Sequence, residues 1–214
     1  MHTVLAHQGT LWHGFLLTLE LTVLGYVGAL VLGTVAAICR VSPVAPLRVF
    51  GGVYVEAFRN VPLLALLLLF VFGLPDVGLT VSYFKSAAIC LALSAGAFVC
   101  EAMRSGINSI GLGQAEAARA IGLSFSQSLR HVVLPQAFRS MVQPLVNVFI
   151  GVALGSALAA AVGVDELTRQ TQFLNLQYAV GAPSFLAAGV LYFALAVGGG
   201  AVGGYLERRV KVHR

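Results

Sequence analysis

The sequence predicts an all-α membrane protein, built as a bundle of five transmembrane helices with one long polar loop. Of the 214 residues, 58% are hydrophobic and only 10% are charged, and the mean hydropathy is +0.90. Soluble domains carry about 25% charged residues, so this composition excludes a water-soluble globule. Because one span takes ~20 apolar residues, the chain has room for about five of them.

Five apolar runs are long enough to cross a bilayer. They lie at about 15–38, 53–74, 86–103, 141–162 and 183–206. The first reaches roughly 36 Å at about 1.5 Å per residue, and Glu20 interrupts it. Between the third and fourth runs, residues 104–139 form the only long segment with a polar pattern. We therefore treat residues 1–214 as a single transmembrane domain.

Lysine and arginine are concentrated in alternate connecting segments. Cytoplasmic loops collect these residues, so the distribution predicts an outside N-terminus and a cytoplasmic C-terminus, a parity that five spans satisfy. Only Lys85 and Arg169 lie on the other side, and Arg59 lies near the start of the second span. No basic residue precedes the first run, which we therefore expect to be a retained span rather than a cleaved signal peptide. The ten residues on the cytoplasmic side are Arg40, Arg48, Arg104, Arg119, Arg130, Arg139, Arg208, Arg209, Lys211 and Arg214.

Small residues recur every four positions in the spans, and helices in lipid pack through such residues. We expect these faces to contact other helices, in this chain or in another. Residues 198–203 also fit the spacing G-x-G-x-x-G, but no strand precedes them and a basic tail follows, so helix packing is the interpretation we prefer. The faces are Gly25, Ala29, Gly33 and Ala37, then Gly151 with Gly155, Gly199 with Gly203, and Gly200 with Gly204.

The sequence lacks the common signatures of catalysis and of metal binding. It contains no G-x-x-x-x-G-K-[ST] phosphate-binding loop and no H-E-x-x-H, and the five histidines have no ligand spacing. We therefore expect no catalytic residue, no metal and no cofactor on this chain. Its basic residues are scattered between apolar runs rather than forming a stripe, so nucleic-acid binding is not predicted either.

Several polar residues lie inside or beside the apolar runs, where they are costly and are candidates for function. Glu56 with Arg59, and Glu101 with Arg104, are three residues apart and are expected to form ion pairs. Glu20 has no partner nearby in the sequence, so pairing with another helix and lining a pathway both stay open. The predicted pathway residues are Glu20, Asn147 and Ser156.

The loop at 104–139 has a regular pattern of its own. Gly113 interrupts the chain, Gln114–Ile121 is strongly helix-forming, and Gly122 is suited to a left-handed C-cap. Ser124 or Ser126 can begin a second helix, and Pro135 is expected to turn the chain after it. A helix, a glycine turn and a second helix under the membrane suggest a docking surface for a soluble partner.

This loop resembles the EAA loop of permease subunits of ABC-type importers. The match consists of E-A-A at 116–118, then Gly122, then Leu134-Pro135. A wider match to polar amino-acid permeases covers nearly the whole chain, and residues 40–44, 59–60 and 106–110 resemble the glutamate-uptake permeases of actinobacteria. The wider match rests on Thr18-Leu19, 56–62 (EAFRNVP), 72–74, 104–107, 113–122 and 135–137.

The resemblance implies the fold of a type I ABC importer permease and a role in ATP-driven uptake of glutamate or a related polar amino acid. It assigns the coupling helix, which enters a cleft on a separate ATP-binding subunit carrying ATP and Mg. It also implies a cell-membrane location, a second permease subunit that is expected to be a different chain, and an extracytoplasmic substrate-binding protein. The implied ATPase-coupling residues are Gly113, Gln114, Ala115, Glu116, Ala117, Ala118, Arg119, Ala120, Gly122, Leu134 and Pro135.

One stretch departs from the family pattern. Many relatives carry Lys, then Asp or Asn, then two hydroxyl residues where this chain has Leu154-Gly155-Ser156-Ala157. The amino acid transported and the residues that contact it therefore stay open. The alternatives are a permease of an osmolyte or methionine importer and, in a different class, a channel or secondary transporter. An intramembrane hydrolase lacks a Ser, His and Asp set in the spans.

Overall fold

The computed structural model describes residues 6–210, apart from the side chains of Leu112, Ala115, Phe125 and Val210. Every regular element in this range is helical, which confirms the predicted all-α fold. The basic residues Lys211 and Arg214, used above for orientation, lie outside the described residues. The helices are α1 Gln8–Val41, α2 Ala45–Asn60, α3 Leu63–Asp76, α4 Tyr83–Asn108, α5 Leu112–Ala120, α6 Ser126–Val162, α7 Leu167–Tyr178 and α8 Ala182–Val210.

Four of these helices, α1, α4, α6 and α8, are long and apolar enough to span a membrane. The segment predicted as one run at about 53–74 is instead two helices, because α2 and α3 meet at an angle of 101°. Proline removes a backbone N–H and disfavours helix at the residue before it, so the break falls at Val61-Pro62, where Val61 is extended. Counted as one broken span, the pair is the fifth crossing.

The most extensive helix contact in the bundle is between α1 and α4. A Cβ atom added at Gly33 would lie 2.5 Å from Val99 Cβ and 2.6 Å from the Gly96 carbonyl oxygen. At Gly25 it would lie 2.9 Å from Leu91 Cβ. Neither position has room for a side chain, so the predicted small-residue face of the first span is confirmed as a contact within this chain.

Helix α8 uses one of its two predicted glycine pairs against α6. Gly199 packs against Phe149, where an added Cβ would lie 2.6 Å from the ring, and Gly203 packs against Val146. The other pair has room to spare, since no atom of the described structure lies within 4 Å of a Cβ at Gly204. One glycine face of α8 therefore packs tightly inside the chain, and the other has room for side chains.

Pro135 does not turn the chain, so that prediction is wrong. Helix α6 continues through it after a π-helical turn at Leu129–Val133, in which the N–H of Leu134 donates to the Leu129 carbonyl five residues back. The wider turn accommodates a proline that has no N–H to donate. Leu74-Pro75 in α3 follows a π-helical turn of the same length at Leu69–Gly73.

A buried carboxylate joins three helices at the end of the bundle opposite α5. Glu166 is fully buried and caps α7 by accepting hydrogen bonds from the N–H groups of Thr168 and Arg169 at 3.0 and 2.9 Å. Tyr192 of α8 donates to it at 2.5 Å and Thr18 of α1 at 3.4 Å. Burial raises the pKa of Glu166, although these hydrogen bonds oppose the shift. This network fixes α7 against α1 and α8.

We expect Tyr192→Phe to lower the free energy of unfolding by about 1–3 kcal/mol, because it removes a hydrogen bond to a buried carboxylate. The measurement is denaturant unfolding of the purified protein in detergent. Tyr205→Phe is the matched control, since Tyr205 lies in the same helix and is half exposed. Equal stability of the two variants would contradict the structural role of this network.

Candidate functional site

Helix α5, the E-A-A segment, ends in a hydrogen-bonded glycine cap. The Gly122 N–H donates to the Arg119 carbonyl at 3.0 Å and the Leu123 N–H to the Ala118 carbonyl at 3.1 Å. Gly122 has a φ of +85°, a left-handed conformation that favours glycine. These two bonds form the Schellman arrangement, which satisfies the last carbonyls of a helix. The predicted left-handed cap at Gly122 is confirmed.

The next helix begins two residues later with a reciprocal cap. The Ser124 N–H donates to Gln127 Oε1 at 2.8 Å, and the Gln127 N–H donates to Ser124 Oγ at 3.4 Å. This is a capping box, which satisfies two backbone donors at a helix start. Of the two predicted starting residues, Ser124 therefore caps the helix. The turn between α5 and α6 is fixed by hydrogen bonds on both sides.

Helix α5 faces away from the bundle over most of its surface. Ala118 is only 3% exposed and holds the helix against the rest of the chain. The Ala115 side chain lies outside the described part of the structure, and Leu134 and Pro135 are half-buried. The other predicted coupling residues are exposed, namely Gly113, Gln114, Glu116, Ala117, Arg119, Ala120 and Gly122. These residues are available for docking, and their coupling role stays a prediction.

Ile121 is a residue of this surface that the sequence analysis did not single out. Its side chain is 78% exposed at the tip of the loop, directly before the glycine cap. An exposed apolar side chain beside the alanines of α5 is available for contact with a partner surface. The sequence could have indicated this residue only by its position, as an isoleucine between an alanine-rich helix and Gly122.

Two hydroxyl groups join the end of α4 to the start of the membrane part of α6. Ser140 Oγ lies 3.0 Å from the Gly106 carbonyl oxygen and 3.1 Å from Ser109 Oγ. Gly106 also packs directly on Met141, with no room for a Cβ. The two ends of the exposed loop are therefore held together where they enter the bundle.

A cavity of about 330 Å³ lies between α3, α4 and α6. Most of its wall is apolar, and Ser94 and Asn147 supply polar side chains. Asn147 Oδ1 accepts a long hydrogen bond of 3.5 Å from Gln143 Nε2, so its amide keeps further donors for a ligand. The lining residues are Leu63, Leu91, Ser94, Ala95, Phe98, Asn147, Val148, Gly151 and Val152.

The three predicted pathway residues do not meet in one place. Asn147 lines the cavity, whereas Ser156 is fully buried and donates its hydroxyl to the Ala153 carbonyl at 2.7 Å. Glu20 is exposed on α1 and is not part of the cavity wall. The structure therefore brings only Asn147 to the cavity, and the roles of Glu20 and Ser156 stay predictions.

Next to the cavity, three guanidinium groups lie within ion-pair distance of the Glu101 carboxylate. Arg40 makes a short ion pair with Glu101 Oε1, and Arg104 Nη1 lies 3.3 Å from the same atom. Arg59 Nη1 lies 3.8 Å from it. The predicted pair of Glu101 with Arg104 is confirmed, and the cluster joins α1, α2 and α4.

The predicted pair of Glu56 with Arg59 is wrong. The Glu56 carboxylate instead accepts a hydrogen bond of 3.2 Å from Asn60 Nδ2, one helical turn further on. Arg59 turns toward α4, where its Cζ lies 5.7 Å from the centroid of the Phe98 ring. A cation over an aromatic face is attracted by the ring quadrupole, and that contact with Glu101 nearby favours this side.

The described residues hold no cluster suited to a metal ion. Between residues 6 and 210, no three His, Cys, Asp or Glu side chains converge. Cys39, Cys90 and Cys100 are free and wholly or partly buried, and the Cys90 thiol lies 3.6 Å from the Leu66 carbonyl oxygen. These cysteines pack as small apolar residues, as the sequence predicts.

Comparison with known proteins gives one consistent family. Residues 29–212 match the family described as binding-protein-dependent transport system inner membrane component. The chain is 34% identical to the probable glutamine ABC transporter permease protein GlnM of Bacillus subtilis, over 92% of each protein. It is 38% identical to the glutamate transport system permease protein GluC of Corynebacterium efficiens, over 78% of each.

A solved structure matches nearly the whole fold. The chain superposes on a protein chain of the crystal structure of an amino acid ABC transporter with histidines, with a TM-score of 0.90. The two are 29% identical, and the match covers 96% of each chain. The arrangement of helices around the cavity and the loop is therefore shared with a transporter of known structure.

The glycine cap of α5 generates a prediction for the loop. Gly122→Ala places a Cβ in the left-handed region, which costs roughly 1–2 kcal/mol, and should loosen the last turn of α5. The measurement is amide hydrogen exchange of residues 114–123, which should become faster. Gly113→Ala is the control, because Gly113 lies inside α5 with open space around it, and alanine there should slow the exchange. Unchanged exchange in Gly122→Ala would contradict the cap.

Proposed function

The chain belongs to the family of binding-protein-dependent transport system inner membrane components, and on that premise we propose that it is the transmembrane subunit of an ATP-driven amino-acid importer. It is a multi-pass membrane protein and a transport subunit. In this proposal it forms part of the translocation pathway and contributes no catalytic residue. ATP and Mg are bound by a separate partner subunit.

The observation that supports the coupling role is the exposed α5 loop, whose exit turn is fixed by hydrogen bonds. One buried residue, Ala118, helps to pack it against the first turns of α6, and the cap at Gly122 fixes its exit. The small side chains of Ala117 and Ala120 allow close approach of a partner surface, and Glu116 with Arg119 offers polar contacts. A protrusion of this kind can enter a cleft on an ATPase and transfer its movement to the bundle.

Transfer of that movement requires a connection to the pathway. Helix α6 supplies it, because it begins beside the loop and carries Asn147, Val148, Gly151 and Val152 of the cavity wall. A movement of α5 against the bundle would shift α6 and change the shape of the cavity. Such a change is the physical requirement for alternating access to the two sides of a membrane.

The relatives support an amino acid as the transported solute. GlnM is named for glutamine and GluC for glutamate, and the solved structure is of an amino acid transporter. We propose glutamate or a related polar amino acid for this chain. Ser94 and Asn147 are suited to such a solute because they offer uncharged hydrogen-bonding groups in an apolar wall.

The proposed assembly lies in the cell membrane, with the N-terminus outside and the C-terminus in the cytoplasm. It contains this subunit, a second permease subunit that is a different chain, ATP-binding subunits against the α5 loop, and an extracytoplasmic substrate-binding protein. The surplus of basic residues on the α5 side supports this orientation. The open glycine face of α8 supports contact with another membrane helix or with lipid.

The function is tested by transport in proteoliposomes that contain this chain with the ATPase, second permease and binding protein encoded beside it. We expect ATP-dependent uptake of radiolabelled glutamate or glutamine. Unlabelled glutamate and glutamine should both compete with this uptake, and few other amino acids should do so. Uptake without ATP, or uptake of an osmolyte or methionine in place of both, would refute the proposal.

Ile121 generates a sharper prediction for coupling. Ile121→Ser removes an exposed apolar side chain from the proposed contact with the ATPase and should lower transport-coupled ATP hydrolysis by about tenfold. Ile121→Leu is the matched control and should keep most of the activity, because it preserves the apolar volume. The assay measures ATP hydrolysis with and without the loaded binding protein. Equal coupling in the two variants would exclude Ile121 from the contact.

A further inference from the structure

We propose that Arg59 is a binding site for the carboxylate group of the transported solute, at the edge of the cavity between α3, α4 and α6. This inference rests on the proposed function and adds the chemical group that the chain recognises. The inference rests on the Arg59 guanidinium, which lies beside the cavity and makes no hydrogen bond within the described residues.

The charge of the cluster is the first argument. Three guanidinium groups, of Arg40, Arg59 and Arg104, surround the single carboxylate of Glu101. Two positive charges are therefore left uncompensated within the cluster. Cations inside or beside spans are costly unless they are paired or hydrated, so the cluster is suited to accept an anion.

The three arginines differ in their hydrogen bonds to Glu101, and this difference makes Arg59 the candidate for binding an anion. Arg40 and Arg104 hydrogen-bond to Glu101, whereas Arg59 approaches it only to 3.8 Å, beyond hydrogen-bonding distance. A guanidinium carries five N–H donors, and those of Arg59 have no acceptor in the described structure. Its side chain is 42% exposed, so a ligand can reach these donors.

Position is the second argument. Arg59 Cζ lies 5.7 Å from the centroid of Phe98, and Phe98 is part of the cavity wall. Glu101 lies one helical turn from Phe98 on α4. A solute in the cavity would therefore have the apolar wall and Asn147 on one side and the free guanidinium at the edge.

The chemistry favours a carboxylate over other anions of similar size. The planar fork of a guanidinium matches the two oxygens of a carboxylate, and the two groups form paired hydrogen bonds. Every amino acid carries an α-carboxylate, and glutamate has a second one in its side chain. No lysine or arginine lines the cavity, and Leu154 stands where many relatives carry lysine, so Arg59 is proposed to supply the positive charge through its contact with Phe98 of the wall.

The test uses the permease complex with its ATPase, in nanodiscs and without the binding protein, so that the selectivity of that protein does not enter. Equilibrium binding of radiolabelled glutamine and glutamate is measured, together with competition by glutamine α-amide and by glutamate γ-methyl ester. Arg59→Gln should weaken binding of glutamine by about tenfold or more, since a charge-assisted contact is lost. Arg59→Lys should give an intermediate loss, because the charge stays and the fork is removed.

Arg48→Gln is the matched control. Arg48 belongs to the same arginine-rich end, but its Nη1 donates to the carbonyls of Ser42 and Pro43, both at 3.1 Å, and it is exposed. We expect its binding constants to equal those of the unmodified chain. Thermal unfolding without ligand should be similar for Arg59→Gln and Arg48→Gln, which separates a lost binding contact from a folding defect.

The two competitors identify the carboxylate. If the α-amide fails to compete, the γ-ester competes and Arg59→Gln weakens binding of glutamine and glutamate alike, Arg59 binds the α-carboxylate. If Arg59→Gln weakens binding of glutamate alone and the γ-ester fails to compete with glutamate, Arg59 binds the side-chain carboxylate instead. Competition by both analogues at full strength would overturn the proposal. Unchanged binding in Arg59→Gln would also overturn it. So would binding that changes with the anionic phospholipid content of the nanodiscs but not with the substitution at Arg59.

Failure of this inference is distinguishable from failure of the proposed function. If the unmodified complex neither binds nor transports an amino acid, the proposed function falls. If the unmodified complex binds glutamine or glutamate and Arg59→Gln binds them equally well, only the carboxylate site is refuted.

Discussion

The close approach of α1 to α4 is the constraint on which the bundle depends. Lipid gives helices no hydrophobic reason to associate, so stable contact requires backbones near enough for dense packing. Gly33 and Gly96 provide it, because neither has a side chain and the position of a Cβ at Gly33 is already filled by Val99 and the Gly96 carbonyl. The approach also sets where Arg40 and Glu101 meet, since these residues follow on the same two helices. The packing of small residues and the charge cluster are therefore parts of one arrangement.

The parts of this fold that were predictable from the sequence depend on neighbours a few residues apart. The cap at Gly122 and the capping box at Ser124 involve partners within five positions, so the residue types alone indicate them. The Glu166 network was not predictable, because its partner Thr18 is 148 residues away. The effect of proline depended on its surroundings as well. Pro62 breaks a helix, whereas Pro135 is absorbed by a π-helical turn, and both have the same local chemistry.

In the candidate site too, the sequence predicted the features that depend on nearby residues and missed those that depend on tertiary packing. The sequence located the loop by its residue pattern, and the structure then showed that Ile121 is the most exposed large apolar residue among those whose side chains the structure describes there. Within α6, Asn147 and Ser156 were equally good candidates, but only the rotation of the helix decides which of them meets the cavity. Arg59 was assigned to its helical neighbour Glu56 by spacing. Its position beside Phe98 follows from the packing of α2 against α4, a tertiary contact that spacing within one helix does not contain.

Helix α6 has a mechanical consequence of its own. It covers 37 residues, from the turn after α5 to a point four residues before Glu166, and changes along its length. It contains a π-helical turn at Leu129–Val133, a proline at Pro144 and a 3-10 segment at Ser156–Val162. The cavity wall lies near its middle. Long helices bend at prolines and at π-helical turns, so the two ends of α6 can tilt by different amounts. Pro144 lies three residues before Asn147, so a bend at this proline would change the shape of the cavity wall directly.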